Sequence, residues 1–252
     1  MKTRFKQGLL AVMGCLLLST GCQRKAEPMR LMSYNIRNLR GMDDTRDLQR
    51  VARVINEANA DVVALQEVDS VTGRSGQTDV LALLAAETQM HPVYAAAIDY
   101  DGGKYGVGIL SREKPLAHHK VPLPGREEQR VLLVVEFERY VMACTHLSLT
   151  DEDRLNSLPI LLQEAEQAGK PFFIAGDWNA EPSSPFIEAL KQSFTLLSDP
   201  TRLTFPAPQP DRTLDYVAVF GTAHPSASTD STWVIAEPMA SDHRPVMVTT
   251  YY

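Results

Sequence analysis

Six short segments of this chain place polar residues at the ends of apolar, strand-like runs, and their positions limit how the strands can run. Asn35 in SYNIR, Glu67 in LQEV, His146 in CTHLS and Asp177, with Asn179, in AGDWNAEP stand at the C-terminal ends of their runs. Asp215 in LDYVAV and Asp242 and His243 in SDHRPV stand at or just before the starts of theirs. Residues at strand ends are displayed at the rim of a sheet. Asn35, Glu67, His146, Asp177, Asp215, Asp242 and His243 share one rim only if the last two strands run opposite to the others, and that is the topology expected here. The pooled carboxylates, amides and two imidazoles suit metal-assisted attack of water on a phosphate ester.

The runs between these segments indicate the fold class. MRLMSYNI reads as a first strand with Leu31, Ser33 and Asn35 on one face. From Thr45 to Ala58, Leu48, Val51, Ala52 and Ile55 recur at helical spacing. DVVALQEV is a second buried strand and TDVLALLAAETQ a second helix. VYAAAI, YGVGILS, RVLLVVEF and YVMACTHL follow, separated by the turn-like DYDGGK and PLPGREE, and suggest hairpins. Thr150 and Asp153 can cap a helix running towards Gly169, in which Pro159 predicts a kink or a broken first turn. PFFIAGD is a strand, Ser184 and Pro185 open a short helix, TFPAPQPDRT is a Pro-rich loop, and LDYVAVF and PVMVTTYY close the domain. The run around Trp233 reads as an edge strand. Helix-linked strands at the start and hairpins in the middle imply mixed sheets with helices outside them.

With 252 residues, 44% of them hydrophobic, the chain can bury one sizeable core, and one catalytic domain over residues 29–252 is expected. Residues 1–21 resemble an export signal: basic MKTRFK, then the apolar run GLLAVMGCLLL, too short to span a bilayer. The end, STGC, resembles a bacterial lipoprotein signal, in which Cys22 would be lipidated and residues 22–28 would form a tether. Ser19 stands where that motif usually carries Leu, and the alternatives are cleavage before Cys15 or a plain secretory signal cut nearby. The expected location is therefore the cell envelope, outside the cytoplasm, with membrane contact through the lipid anchor only. Loss of Lys2, Arg4 and Lys6 with the leader takes the formal charge from -6 to about -9, a poor balance for general nucleic-acid binding. Cys144 would be the one thiol left beyond the lipidated Cys22, and it reads as a small core residue.

The ordered set SYNI, LQEV, GVGILSR, THLS, GDWNAEP, LDYV and SDHRPV resembles the endonuclease/exonuclease/phosphatase family, the group of pancreatic-type deoxyribonucleases, abasic-site endonucleases, inositol polyphosphate 5-phosphatases and neutral sphingomyelinases. Any one of these residues reads as readily as a strand-end cap, so the order of all seven segments carries the likeness. The resemblance implies a four-layer α/β/β/α sandwich of two packed mixed sheets flanked by helices. It implies Glu67 as principal Mg²⁺ ligand, Asn35 and Asp242 completing or sharing the metal environment, and Mg²⁺ or Mn²⁺ rather than zinc. It implies an Asp215–His243 pair, with Asp177 and Asn179 positioning the attacking water and a phosphate oxygen. His146 is similar to the second His of the deoxyribonuclease and sphingomyelinase branches. The base role goes either to His243, oriented by Asp215, or to Asp177, while His146 stabilises the pentacovalent centre or protonates the leaving oxygen.

Arg112, Arg154 and Tyr105 are candidates for substrate contact, the two arginines being equally readable as partners in ordinary salt bridges. His91, His118, His119 and His224 fall in loop-like or unmatched segments and read as surface residues, and Trp178 as packing beneath the site. The expected activity is hydrolysis of a small or lipid-derived phosphate ester by a monomer. A surface nuclease is the alternative, and a catalytically silent surface binding protein the third reading. The TFPAPQPDRT loop, next to Asp215, is where specificity is expected.

Overall fold

The structure is a computed structural model that describes residues 28–221 and 229–251. The leader, Cys22, the tether up to residue 27 and His224 lie outside the described residues. The chain begins with β1 (Pro28–Asn35), a 3-10 turn (Arg37–Leu39), α1 (Leu48–Ala58), β2 (Val62–Ser70), α2 (Val80–Thr88), β3 (His91–Tyr100) and β4 (Gly103–Ser111). It continues with β5 (Ala117–Leu123), β6 (Arg130–Glu136), β7 (Val141–His146), α3 (Asp151–Gln167), β8 (Phe172–Asp177) and α4 (Pro185–Leu190). The last strands are β9 (Phe194–Leu196), β10 (Asp215–Phe220), β11 (Thr229–Val234) and β12 (Val246–Tyr251).

Two six-stranded mixed sheets result, ordered β11-β12-β1-β2-β4-β3 and β5-β6-β7-β8-β10-β9. In the first, β1 is parallel to β2 and antiparallel to β12; in the second, β8 is parallel to β7 and antiparallel to β10. The last two site-bearing strands therefore run against the others, as the polar residues required.

Strand alternation sends one set of side chains between the sheets and the other under the helices. Leu31, Ala64, Ile109, Leu133, Ala175 and Val217 are among the residues of the inter-sheet core. Met32, Val63 and Leu65 face α1 and α2, while Leu132, Ile174 and Ala218 face α3 and α4. Both faces of the central strands are buried, which is why they read as continuous apolar runs. The arrangement is the helix–sheet–sheet–helix sandwich expected.

Several local readings change. α1 starts at Leu48 with Asp47 as its cap, Asp47 Oδ1 accepting from Arg50 N at 3.0 Å, so Thr45 and Arg46 stay in the loop. DYDGGK shrinks to a two-residue turn, Asp101 and Gly102, both at positive φ as a tight hairpin needs. α3 runs unbroken through Pro159, and Thr150 occupies its cap position without a capping side-chain bond. PLPGREE is not wholly a turn, because β5 extends to Leu123. The Trp233 run is the edge strand expected, paired only to β12.

Candidate active site

Three of the residues share one rung of the second sheet. His146 pairs with Asp177 across parallel β7 and β8, and Asp177 pairs with Asp215 across antiparallel β8 and β10. Gly176 makes this close rung possible: a Cβ there would lie 2.0 Å from the carbonyl oxygen of Thr145. The next turn of chain places Asn179 at φ 49°, with its Nδ2 donating to Leu147 O at 2.9 Å and its backbone N–H donating to Asp177 Oδ1 at 2.9 Å.

The first sheet contributes from the facing rim. Leu65 pairs with Gly108 but Val68 pairs with Gly106, so Gln66 and Glu67 together oppose one residue of β4. This bulge, with Glu67 at φ 59°, turns its carboxylate towards Asn35 instead of continuing the alternation of β2. Asn35 is fully buried and spans the two sheets: Nδ2 donates to Glu67 Oε1 at 3.0 Å and to Asp177 Oδ2 at 3.1 Å. Asn35 Oδ1 accepts from Arg37 N at 3.0 Å, which fixes the direction of the amide.

The loop before β12 closes the cluster. Ser241 Oγ donates to Asn35 O at 2.7 Å, Asp242 Oδ2 lies 3.3 Å from Arg37 Nε, and the imidazole of His243 enters the buried centre. His243 Nδ1 donates to Asp215 Oδ2 at 2.9 Å. Asp215 Oδ2 also accepts from Thr204 Oγ1 at 2.6 Å, while Asp215 Oδ1 is buried without a partner. The Nε2 atoms of His146 and His243 stand 3.4 and 3.5 Å from the same atom, Asp177 Oδ2.

The two imidazoles are shifted in opposite directions. Burial alone would lower His243, but Asp215 and Asp177 override it and hold the ring up at about 10. Burial lowers His146 to about 4, with Asp177 offsetting only part of that effect. Burial also raises the Glu67 carboxyl, the Asn35 hydrogen bond pulls it down, and Asp242 and Asp177 push it up by repulsion.

These facing carboxylates bear on whether a metal ion fits. A group of acids with oxygen donors suits a hard divalent ion; Asp177 and Asp215 are buried, and the half-buried Glu67 and Asp242 are its outer members. Asn35, as oriented, offers its nitrogen to the acids and supports Glu67 rather than presenting an oxygen ligand. The one set of three potential ligand atoms lying within 4.8 Å of one another, among the described residues, is Asp177, Asp215 and His243. The proton on His243 Nδ1 is committed to Asp215 there.

The family model described as "Endonuclease/Exonuclease/phosphatase family" matches residues 32–243. The chain belongs to this family. Its members hydrolyse phosphoesters, and the rim cluster lies at the rim where the ordered family segments converge. Among solved structures, an endonuclease/exonuclease/phosphatase of Beutenbergia cavernae shares the fold at TM-score 0.69 and 22% identity, over 89% of this chain and 71% of that one. A mannosyl-6-phosphatase of Bacteroides thetaiotaomicron gives 0.71 at 17% identity, over 89% and 100% of the two chains. The catalytic domain of human Nocturnin, with bound sulfate, gives 0.68 at 18% identity, over 89% and 95%. No curated protein matches the chain in sequence.

The endonuclease/exonuclease/phosphatase rim gathers Asn35, Glu67, His146, Asp177, Asn179, Asp215, Asp242 and His243, but it does not gather every candidate. Arg112 follows β4, whose end pairs with the start of β2 at the opposite rim, and its guanidinium binds Ala60 O and Asn59 Oδ1 at 3.0 Å each. Arg154 is buried in the first turn of α3, donating to Ser148 O at 2.8 Å and paired with Asp151, so it braces the loop after β7. Tyr105 does reach the rim. With Arg130, Glu128 and His146 it lines a slot of about 10 Å³, and its phenol is pushed far up by burial and by Glu67.

Thr204, Ser241, Arg37 and Phe205, whose ring packs 4.7 Å from that of His243, are site residues that sequence reasoning missed. Two of them, Thr204 and Phe205, lie in the TFPAPQPDRT loop singled out for specificity. Trp178 is fully buried and stacks on Tyr216 at 4.9 Å, and Cys144 is fully buried with Gln66 Nε2 donating to its Sγ. His91, His118 and His119 are exposed, as expected of surface residues, although they sit in strands.

Proposed function

We propose that this protein is an Mg²⁺-dependent phosphoester hydrolase, with Mn²⁺ as a substitute, acting on a small or lipid-derived phosphate ester at the cell envelope. The observation that carries the reading is the convergence of both imidazole Nε2 atoms on Asp177 Oδ2, beside Glu67 and with His243 backed by Asp215. Glu67 and Asp242 would hold the ion, with Asn35 orienting Glu67. When bound, the ion supplies charge neutralisation on phosphoryl oxygens.

The protein's own groups divide the remaining work. His243, held as an imidazolium between Asp215 and Asp177, is placed to donate to a phosphoryl oxygen. Asp177 is the neighbouring carboxylate able to take a proton from water, which favours Asp177 over His243 as base. Neutral His146 faces the slot beside Tyr105, where a leaving oxygen would sit. Asn179, with its backbone bound to Asp177 and its amide to Leu147, positions the water. The leader reading is part of the same proposal: export, with Cys22 lipidated and residues 22–28 as the tether that leads into β1.

The test uses protein starting at Glu27 with an aryl phosphodiester and the matching monoester, each with Mg²⁺, with chelator and with Glu67→Ala. Metal-dependent turnover lost in the variant supports the reading, and the diester to monoester ratio assigns the class. Turnover that ignores chelator and survives Glu67→Ala would defeat it. A nuclease would instead show steep loss of turnover with salt.

A further inference from the structure

Nine large apolar side chains are exposed among the described residues, and six of them, five on loops and Tyr100 at the end of β3, frame the catalytic rim. On the side of the first sheet, Val71 follows β2 and Tyr100 closes β3 at its hairpin with β4. Met42 and Met239 meet where the loop after β1 touches the loop before β12, Met42 N donating to Met239 O at 2.9 Å. On the side of the second sheet, Leu149 follows β7 and is 66% exposed, and Leu203 precedes Thr204. The other three exposed residues, Leu83, Leu116 and Leu155, lie on α2, on the far rim and on α3.

Scattered exposed apolar residues are ordinary, but their concentration around one opening is not. Val71 adds a second sign. A β-branched residue at φ 56° is strained, and here the strained backbone presents its side chain to solvent at the edge of the mouth.

We propose that this apolar collar docks the mouth onto a lipid surface, so that the substrate phosphoester is one carried in the headgroup layer of a bilayer. The inference rests on the phosphoester-hydrolase reading and names its substrate class. Two features select the occupant. The collar surrounds the site, so whatever covers it must also deliver the substrate; a second copy of the chain would only block it. Second, Arg40, Lys104, Arg202 and Arg212 on these loops are each ion-paired with an aspartate of their own segment, Asp44, Asp99, Asp199 and Asp211. Charges paired in this way give little grip on a polyanion, whereas apolar side chains flanked by paired charges suit the boundary of headgroups and acyl chains.

Every strand, helix and core cluster described lies within residues 28–251, so protein starting at Glu27 retains the whole sandwich. The test compares it with the triple variant Leu149→Ser, Leu203→Ser, Met239→Ser in two assays. One is co-sedimentation with phosphatidylcholine vesicles, with and without added phosphatidylglycerol. The other is turnover of an aryl phosphodiester free in solution against the same ester bearing a hexadecyl chain and embedded in the vesicles.

The expected result is binding to phosphatidylcholine alone that survives about 0.5 M salt. The triple variant should lose about tenfold or more in binding and in turnover of the embedded ester, with soluble turnover unchanged and the melting temperature preserved. Leu149→Trp should strengthen binding, which keeps the test decisive if the triple variant misfolds. Equal sedimentation of all three proteins would overturn the proposal. So would binding confined to phosphatidylglycerol vesicles and abolished by salt, or self-association that the triple variant abolishes. Absence of soluble turnover in the unaltered protein would count against the hydrolase reading, while sedimentation still judges the collar.

Discussion

The His243 imidazole is held 2.9 Å from Asp215 Oδ2 by a proton on Nδ1, which leaves Nε2 as the atom that faces Asp177 and the mouth. Thr204 Oγ1 occupies the same carboxylate oxygen at 2.6 Å, so Asp215 is fixed before it fixes the ring.

Asp215→Asn should therefore leave the fold intact and withdraw the charge that holds His243 as an imidazolium with its Nε2–H towards Asp177. Turnover of an aryl phosphoester should fall about 10³- to 10⁴-fold, as expected when an orienting carboxylate is lost. The double variant with His243→Ala should be no worse than the poorer single variant, because the pair acts as a unit. Steady-state kinetics on the three proteins checks both statements.

Metal binding should separate the two rims. Glu67→Gln removes a half-buried carboxylate faced by Asp242 and Asp177, and calorimetry should show Mg²⁺ or Mn²⁺ affinity reduced by about tenfold or more. Arg112→Ala, at the opposite rim, should leave affinity and turnover unchanged.

The opposite shifts of the two imidazoles give opposite pH dependences of stability in chelator. His243 is raised, so it binds its proton more tightly folded than unfolded; its stabilisation is complete below about pH 6.5 and lost as pH rises towards about 10. His146 is lowered to about 4, so stability is present above about pH 6.5 and lost as pH falls through 4. Urea unfolding across this range should show Asp215→Asn costing most at low pH and least near pH 10. His146→Gln should flatten the loss on the acid side.

Gly176→Ala should destabilise by about 1–3 kcal/mol, because the added methyl meets the Thr145 carbonyl and the β7–β8 rung must spread. Turnover should fall more than stability suggests, since the same rung sets His146 against Asp177. Denaturation and kinetics on one preparation test the pair of effects.

The leader has its own consequence. Pro28 begins β1 and Asn35 ends it, about 23 Å away at strand rise, so the described domain starts at the rim opposite the mouth. Residues 22–27 reach about 20 Å at most. A lipid on Cys22 would then leave the mouth directed away from the anchoring leaflet, and the collar would meet a different surface. Labelled fatty acid should enter the protein and be lost in Cys22→Ser; no labelling of the unaltered protein would remove the anchor from the account.

What the chain disclosed in advance depended on where polar groups broke apolar runs. Asp177, Asp215 and His243 stood out because each interrupts or borders a strand, and the reversed direction of β10 and β12 followed from their positions. The Gln66–Glu67 bulge left no such mark, since LQEV reads as an ordinary strand end and the extra residue exists only relative to β4. Arg112 is a cation readable either as a phosphate contact or as an ordinary salt-bridge partner, and only the antiparallel pairing of β4 with β2 shows that it sits at the far rim. β5 carries no apolar alternation, because Pro122 and the exposed His118, His119 and Lys120 occupy an edge strand. Arg37, Asn38 and Leu39 all adopt positive φ without a glycine to announce it. Thr204 lay in a loop already singled out, but no periodicity says which loop residue turns inward.

The central claim is that this rim activates water against phosphorus. Hydrolysis of an aryl phosphodiester in ¹⁸O-water, followed by mass spectrometry of both products, tests it most directly. The account predicts label in the phosphate product and none in the phenol, only with a divalent ion, and abolished in Glu67→Ala and His243→Ala. Label in the phenol, or labelled phosphate formed equally well by both variants, would contradict it.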